Sequence, residues 1–328
     1  MENNNQIQLF SESIVKIENE IKKDIVGQED VIENILIAII AGGNVLLEGI
    51  PGVGKTRLVR SLGKALSLPF SRIQFTPDLM PSDVTGTNVI EKDVNGNMNL
   101  KFSKGPIFSN IILADEINRA TPKTQSAMLE AMQEHKVTVA NTSYKMDEPF
   151  FVLATENPVE QDGTYPLPEA QMDRFMFKLV MTFPTVSELK SIVNMTQITM
   201  DETANAVIDG ETLLKMRETT KQIPVIDEIL DYTMNLVAST HAELAGNNIA
   251  KKYLRFGASP RAAQALITGA KVRALMHGKY NVSYEDIEAL AYPTLRHRIK
   301  INYDAISEHL SVDDVIALLI KENKKNKR

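Results

Sequence analysis

Apolar residues follow two different spacings along this chain of 328 residues. Up to about residue 183, short apolar runs alternate with segments in which apolar residues recur at helical spacing. The runs predict strands at residues 44–48, 72–75, 111–115, 150–155 and 177–181. Because strands and helices alternate, we expect a parallel sheet that is covered by helices on both faces.

Two segments do not fit this alternation. Residues 89–102 flank the turn sequence Asn95-Gly96-Asn97, and residues 137–146 flank Asn141-Thr142. Each pattern predicts a β-hairpin inserted into the α/β order.

After Pro184 the strand signals stop and only helical spacing remains. This spacing predicts helices at residues 187–200, 209–222, 227–244, 259–277, 283–290 and 311–323. Two of them begin with sequences that resemble capping boxes, Ser283-x-x-Asp286 and Ser311-x-x-Asp314. We therefore predict an α/β protein with a parallel-sheet domain at residues 1–184 and an all-helical domain at residues 185–328.

The ends of the chain are polar. Residues 1–10 and the basic tail at 321–328 are predicted to be disordered. Residues 1–6 lack the basic and apolar parts of a signal peptide, and the longest apolar run, at 35–41, is too short to span a bilayer. We expect a cytoplasmic protein with no membrane insertion.

Composition narrows the possible chemistry. The formal net charge of -6 argues against a protein that binds duplex DNA by electrostatic attraction, so we expect no nucleic-acid partner. The absence of cysteine excludes disulfides, thiolate metal sites and thiol nucleophiles. The histidines show no metal-ligand spacing; they stand at positions 135, 241, 277, 297 and 309.

A phosphate-binding sequence lies between a predicted strand and a predicted helix. It is Gly49-Ile50-Pro51-Gly52-Val53-Gly54-Lys55-Thr56, which matches the P-loop pattern G-x-x-x-x-G-K-[ST]. Its glycines allow backbone N–H groups to surround phosphate oxygens, and the helix N-terminus attracts the anion. We expect Lys55 to reach the β and γ phosphates and Thr56 to ligate Mg²⁺. The alternative is a tight strand-to-helix turn with an incidental lysine.

Two acids follow at the end of the predicted strand at 111–115. Asp115 and Glu116 would be costly at the end of a buried strand unless they meet a cation or transfer a proton. We expect Asp115 to belong to the Mg²⁺ shell and Glu116 to polarise a water that attacks the γ phosphate. Acids that cap the next helix are the alternative. Together with the P-loop, the pair predicts hydrolysis of a nucleoside triphosphate.

The remaining segments resemble those of an AAA+ ATPase. The strings LADEINRATPKTQSAMLEAMQE at residues 113–134 and ATENPVEQDGTYPLPEAQMDRF at residues 154–175 are similar to the MoxR family. The resemblance covers nearly the whole chain between its polar ends. It implies ATP and Mg²⁺ as cofactors, and a P-loop AAA+ parallel-sheet domain with two hairpin inserts followed by a helical lid domain.

The resemblance also implies roles for single residues. Asn157 matches sensor 1, which holds the water or the γ phosphate, although an Asn-Pro turn is the alternative. Arg174 matches the arginine finger that the family presents to a neighbouring subunit's nucleotide; the alternative is a surface arginine paired with Asp173 or Glu169.

Further positions match the family at the edges of the site. Arg261, after Pro260, matches sensor 2, through which a lid detects the γ phosphate; a plain arginine in a first helical turn is the alternative. Val26 matches the segment near the adenine. Asn118 or Arg119 is expected to position water or to bridge subunits, and the sequence leaves the choice between them open.

A finger that acts on a neighbour implies a homo-oligomeric ring, most often a hexamer in AAA+ relatives. The two hairpins would deliver motion to a protein client, which in MoxR relatives commonly bears a von Willebrand factor A domain. The resemblance therefore implies an ATP-hydrolysing, chaperone-like remodeller that matures or activates its client. The alternatives are a magnesium-chelatase-like motor subunit, a nucleic-acid remodeller, and a nucleotide-switched scaffold with little turnover.

Overall fold

A computed structural model describes residues 2–92, 97–157, 163–198, 203–244 and 248–325. Its helices are α1 (Glu2–Lys22), α2 (Glu29–Ala41), α3 (Lys55–Ala65), α4 (Pro81–Thr85), α5 (Pro122–Glu134), α6 (Glu169–Met172), α7 (Val186–Ile198), α8 (Gly210–Lys221), α9 (Asp227–Ala238), α10 (Asn248–Tyr253), α11 (Pro260–Met276), α12 (Tyr284–Leu295), α13 (Tyr303–Ser307) and α14 (Val312–Lys325). Its strands are β1 (Val45–Glu48), β2 (Phe70–Gln74), β3 (Gly86–Lys92), β4 (Met98–Lys104), β5 (Ile111–Asp115), β6 (Lys136–Val139), β7 (Thr142–Lys145), β8 (Phe151–Glu156), β9 (Phe177–Val180), β10 (Leu254–Phe256) and β11 (Lys300–Ile301).

The strands predicted from the apolar runs form one sheet. Its order is β2-β5-β8-β1-β9, and every neighbouring pair is parallel. Alternate side chains point to opposite faces, so Leu47 and Leu113 enter one buried cluster while Leu46 and Ile112 enter another. The first cluster continues into the helices that follow Pro184, and the second is completed by α4 and α5. The sheet is covered on both faces, as predicted.

Parallel strands give the sheet two chemically different edges. The P-loop directly follows β1, Asp115 is the last residue of β5, and Asn157 directly follows β8. They therefore share the edge at which these strands end, called here the carboxyl edge. The chain then returns through α6 to the opposite, amino edge. There the Met176 N–H donates to the Asn44 carbonyl at 2.8 Å, just before β9 begins beside β1.

Both predicted hairpins are present. The pair β3–β4 is antiparallel with Ile90 opposite Leu100, and β6–β7 is antiparallel with Val137 opposite Tyr144. Residues 93–96 of the first predicted turn lie outside the described residues. Phe102 of β4 stacks on Tyr144 of β7, with ring centroids 4.0 Å apart. The two hairpins therefore contact each other.

The prediction of disordered ends is wrong for the described residues. Helix α1 begins at Glu2, and its residues Ile7, Phe10, Ile14, Ile17 and Ile21 form a buried stripe at spacings of three and four. The polar first residues obscured this stripe in the sequence. At the other end, α14 continues to Lys325 because its inner face is buried. Its Asn323 is buried and donates a hydrogen bond to the Tyr232 carbonyl at 3.0 Å.

The region after Pro184 is helical, as predicted, with one addition. Ser283 and Ser311 both exchange hydrogen bonds with the acid three residues later, which confirms the two predicted capping boxes. A short antiparallel ladder of β10 and β11 joins the ends of α10 and α12 within this region. Among the helices that the structure describes, each is too short or too polar to cross a bilayer.

Candidate active site

The P-loop leaves β1 at the carboxyl edge and ends in α3. Gly52 and Gly54 have φ of 85° and 92°, a left-handed region that glycine enters without steric cost. A Cβ built on either residue would meet no described atom within 4 Å, so open space lies in front of both. Thr56 occupies the first turn of α3. Pro51 is exposed on the loop, and Val53 packs against the core.

Lys55 already faces the acids that the sequence singled out. Its Nζ donates to the Gly49 carbonyl at 2.8 Å. Burial lowers the pKa of Lys55, and the negative charges of Asp115 and Glu116 oppose that shift. A triphosphate in the open space would supply the anion that this half-buried ammonium lacks.

Asp115 is buried and fully engaged at the end of β5. Its Oδ1 accepts a hydrogen bond from Thr155 Oγ1 at 2.7 Å, and its Oδ2 accepts from Arg72 Nη2 at 2.6 Å and from Arg72 Nε at 3.1 Å. Arg72 therefore supplies the positive charge next to this carboxylate in the structure. A divalent cation could supply the same charge.

Glu116 has a strained backbone. Its φ of 56° lies in the left-handed region, which is costly for a residue with a Cβ, and its N–H donates to Thr155 Oγ1 at 2.9 Å. Its Oε2 accepts from Gln74 Nε2 at 2.9 Å and from Arg119 Nη1 at 3.0 Å. These two donors hold the carboxylate at the end of β5.

Sequence reasoning missed three of these partner residues, Arg72, Gln74 and Thr155. Arg72 and Gln74 are two residues apart on β2, so they point to the same face of the sheet. They contact the two acids at the end of the adjacent strand, β5. Thr155 touches both acids from the other side, on β8. The alternation Arg72-Ile73-Gln74 was the available signal, but only the strand order shows what these side chains face.

Asn157 and the segment of Val26 lie at the same edge. Asn157 is buried directly after β8. Val26 is half-buried, and two residues on, Gln28 Nε2 donates to the Thr182 carbonyl at 2.9 Å. The preceding Met181 donates from its backbone to Glu48 at 2.8 Å, just before the P-loop. The structure therefore brings these residues to one end of the sheet with the P-loop and the acids.

Arg174 and Arg261 lie elsewhere. Arg174 precedes β9, so it stands at the amino edge, separated from the P-loop by the length of β1, roughly 13 Å at about 3.3 Å per residue. Arg261 Nη1 lies 3.6 Å from Asp173 Oδ2, beside Arg174. The start of α11 therefore docks on the amino edge, and the match of Arg261 to sensor 2 stays a prediction.

Asn118 and Arg119 differ in what they touch. Arg119 pairs with Glu116, as described above. The Asn118 carbonyl accepts from the Tyr165 N–H at 2.6 Å. Arg119 is therefore the one placed to act on the acid.

These residues fit a magnesium nucleotide. Glycine N–H groups, the Lys55 ammonium and the start of α3 suit phosphate oxygens, while the hydroxyl of Thr56 and the carboxylate of Asp115 are the oxygen ligands that Mg²⁺ prefers. No cluster of three or more potential metal ligands is found among the described residues, so the metal would need phosphate or water oxygens as well.

Comparisons with known proteins agree with this geometry. Residues 44–177 match the model of the ATPase family associated with various cellular activities (AAA), and residues 246–318 match an AAA lid domain. The chain is 40% identical to the chaperone MoxR1 of Mycobacterium tuberculosis over 298 residues, covering 90% of this chain and 78% of that protein. It is 41% identical to the protein YeaC of Bacillus subtilis, covering 90% of this chain and 89% of the relative.

Structural comparison gives the same result. A crystal structure of a protein from Cytophaga hutchinsonii, assigned as an ATPase, aligns with a TM-score of 0.89 at 40% identity, covering 97% of this chain and 96% of that one. The protein MoxR of Methylorubrum extorquens is 29% identical and is matched over 88% of both chains. The chain has a P-loop sheet domain with two hairpins and a helical lid, and it matches proteins named MoxR along nearly its full length. It therefore belongs to the MoxR family of AAA+ ATPases.

Proposed function

We propose that this protein hydrolyses ATP with Mg²⁺ as part of a ring and uses the resulting motion to remodel a protein client. One observation carries the proposal. The P-loop and both acids lie at the carboxyl edge, whereas Arg174 lies at the amino edge, so the length of β1 separates Arg174 from the P-loop. A subunit of this shape holds a nucleotide at one edge and offers its arginine at the other, so each site needs a neighbour.

Within one subunit, the chain's own residues bind and orient the nucleotide. Gly52, Gly54 and Lys55 hold the phosphates, and Val26 packs on the adenine. Thr56 and Asp115 hold Mg²⁺, which when bound neutralises phosphate oxygens. Glu116 polarises the attacking water and accepts its proton on the carboxylate, while Asn157 holds that water or the γ phosphate.

The neighbouring subunit supplies the missing positive charge. Arg174 stabilises the charge that develops on the transferred phosphoryl group, as a guanidinium can do at close range. Arg261 lies 3.6 Å from Asp173, the residue before Arg174, which supports a role of Arg261 at the same neighbour's nucleotide. A closed ring, most simply a hexamer as in AAA+ relatives, completes every site.

The client is a protein that the hairpins can reach. Ile90, Met98 and Leu100 are each more than two-thirds exposed on β3–β4, which suits contact with an apolar surface. The family membership and a relative named as a chaperone support a maturation role, and a client with a von Willebrand factor A domain is the first to test.

The test is steady-state ATP hydrolysis against protein concentration, for the wild type, Glu116→Gln, Arg174→Ala and an equimolar mixture of the two variants. Each variant alone should lose nearly all activity, and the mixture should regain part of it, because an intact Glu116 meets an intact Arg174 across an interface. Full activity of Arg174→Ala, or a specific rate independent of concentration, would mean that Arg174 does not act across an interface and that a monomeric nucleotide switch is the better description.

A further inference from the structure

The segment that carries Arg174 is held by one buried arginine of the lid, the helical region after Pro184. The side chain of Arg298 is 2% exposed. It donates to three carbonyls of this segment, those of Asp173 at 3.2 Å, Phe175 at 2.7 Å and Met176 at 3.0 Å. Its Nε also donates to Asp173 Oδ1 at 2.8 Å. The lid thus grips residues 173–176, called here the finger segment, along their length.

A second part of the lid holds the same segment. Ser259 Oγ, at the N-cap of α11, lies 2.8 Å from both carboxylate oxygens of Asp173, and Arg261 approaches Asp173 at 3.6 Å. Asp173 therefore joins the start of α11 to the residues that follow α12. Burial lowers the pKa of Arg298, and the Asp173 carboxylate opposes this shift. The negative charge of Asp173 therefore stabilises the buried positive charge of Arg298.

The sheet domain also holds the finger segment, because Phe175 is fully buried in the second cluster and β9 begins directly after Met176. The Met176 N–H donates to the Asn44 carbonyl at 2.8 Å, and Arg174 Nη1 lies 3.4 Å from the Leu129 carbonyl, a long hydrogen bond. The contacts of Arg298 therefore fix the backbone on both sides of Arg174, whose own side chain is held by a long hydrogen bond.

We propose that Arg298 is a positioning residue that fixes Arg174 to its own lid, so that the lid of one subunit sets the rate at the next subunit's nucleotide. The proposal rests on the proposed function, because it assumes that Arg174 acts across an interface. Arg298 itself remains buried and touches no nucleotide. Arg298 acts by fixing the position of the Arg174 guanidinium.

Mixing experiments separate this role from a merely structural one. Arg298→Gln should lower the ATPase rate at least tenfold, with the Kd for a fluorescent ATP analogue and Mg²⁺ changed less than twofold, because the variant's own P-loop and acids are intact. Mixed with Glu116→Gln, it should regain the same share of activity as Arg174→Ala does in that mixture. Mixed with Arg174→Ala, it should regain none, since neither partner offers a well-placed finger.

A milder variant and a matched control accompany it. Asp173→Asn keeps the size and the acceptor but removes the charge, and it should show the same mixing pattern with a smaller loss. Arg273→Gln is the control, because Arg273 of the lid also reaches the sheet domain, through Glu33 at 3.4 Å, and it pairs with Asp286 within the lid at 2.7 Å. Within the described part of the chain, the contacts of Arg273 do not include the finger segment. This control variant should lose thermal stability while keeping its ATPase rate.

Each contrary result has a distinct meaning. If Glu116→Gln and Arg174→Ala do not restore each other, the proposed function itself fails. If they do, but Arg298→Gln and Asp173→Asn are rescued by Arg174→Ala or by neither partner, the positioning role is wrong, because the defect then lies in their own nucleotide site or in the fold.

Discussion

Arg72 and Asp115 form an ion pair across two neighbouring strands, with Nη2 and Oδ2 2.6 Å apart. Asp115 is the carboxylate that we propose for the Mg²⁺ shell, and its side chain is only 11% exposed. The arginine and the metal ion would therefore offer positive charge to the same carboxylate. A substitution of Arg72 should therefore change how strongly nucleotide binding depends on Mg²⁺.

We predict that Arg72→Gln makes ATP binding more dependent on Mg²⁺. The ratio of the Kd in EDTA to the Kd in Mg²⁺ should rise about fivefold, the effect of a charge-assisted hydrogen bond worth roughly 1 kcal/mol after its exposure is discounted. A fluorescent ATP analogue measures both constants. Lys101→Gln, which breaks an exposed pair with Glu91 on the first hairpin, is the control. An unchanged ratio would show that Arg72 does not compete with the metal.

The hydroxyl of Thr155 joins both acids, since it donates to Asp115 Oδ1 and accepts from the Glu116 N–H. Thr155→Val keeps the shape and removes this bridge, which leaves a buried N–H of a strained residue without its acceptor. We expect a loss of about 1–3 kcal/mol in unfolding free energy and a fall in ATPase rate of at least tenfold. Thr155→Ser should retain most of both. Equal activity of the two variants would exclude a role for the hydroxyl.

The place of the candidate nucleotide site at one edge of the sheet was predictable from sequence, because its signals are local. The P-loop, Asp115, Glu116 and Asn157 each follow an apolar run that ends at a strand's carboxyl end, and the order of elements along the chain brings these ends together. These residues can be identified without knowing the order of the strands in the sheet.

The residues that sequence reasoning missed depend on contacts between distant parts of the chain. Arg72 faces Asp115 only because β2 pairs with β5, and Arg298 reaches Asp173 across 125 positions. Helix α1 was missed for a different reason. Its buried stripe, which begins at Ile7, follows a run of polar residues that resembles a disordered end.

The stacking of Phe102 on Tyr144 should couple the two hairpins. Phe102 also meets the ring of Phe108 edge-on at 5.7 Å, so Tyr144 closes one side of an aromatic cluster. Tyr144→Ser should speed amide hydrogen exchange in β3 and β4, which have few other buried contacts. Leu100→Ser, at a site 75% exposed, should leave exchange unchanged. If exchange in both strands is the same in Tyr144→Ser as in the wild type, the hairpins move independently.

Three charged side chains meet at the end of the sheet, just before the P-loop. Lys178 Nζ lies 2.6 Å from Glu48 Oε2 and 3.9 Å from Glu156 Oε2, and the two glutamates are opposite each other on β1 and β8. Burial raises the pKa of Glu156; Lys178 opposes this shift and the charge of Glu48 adds to it. The fold therefore holds one carboxylate that its lysine does not fully compensate.

Removing that carboxylate should stabilise the protein in a pH-dependent way. Because the pKa of Glu156 is higher in the folded than in the unfolded state, its ionisation costs stability, and the full cost is present above the folded pKa. Glu156→Gln should therefore melt at a higher temperature than the wild type at pH 8. The difference should shrink as the pH falls through the folded pKa, and it should vanish below the ordinary value of 4.5, where Glu156 is protonated in both states.

Glu48→Gln is the matched control, since it removes the closer partner of Lys178 and leaves Glu156 as the remaining acid. It should melt at a lower temperature than the wild type at pH 8, because a half-buried ammonium loses its strongest ion pair. Thermal unfolding of the three proteins from pH 5 to pH 8 checks both signs. Destabilisation by Glu156→Gln at pH 8 would mean that Lys178 compensates both glutamates, and that burial does not dominate the ionisation of Glu156.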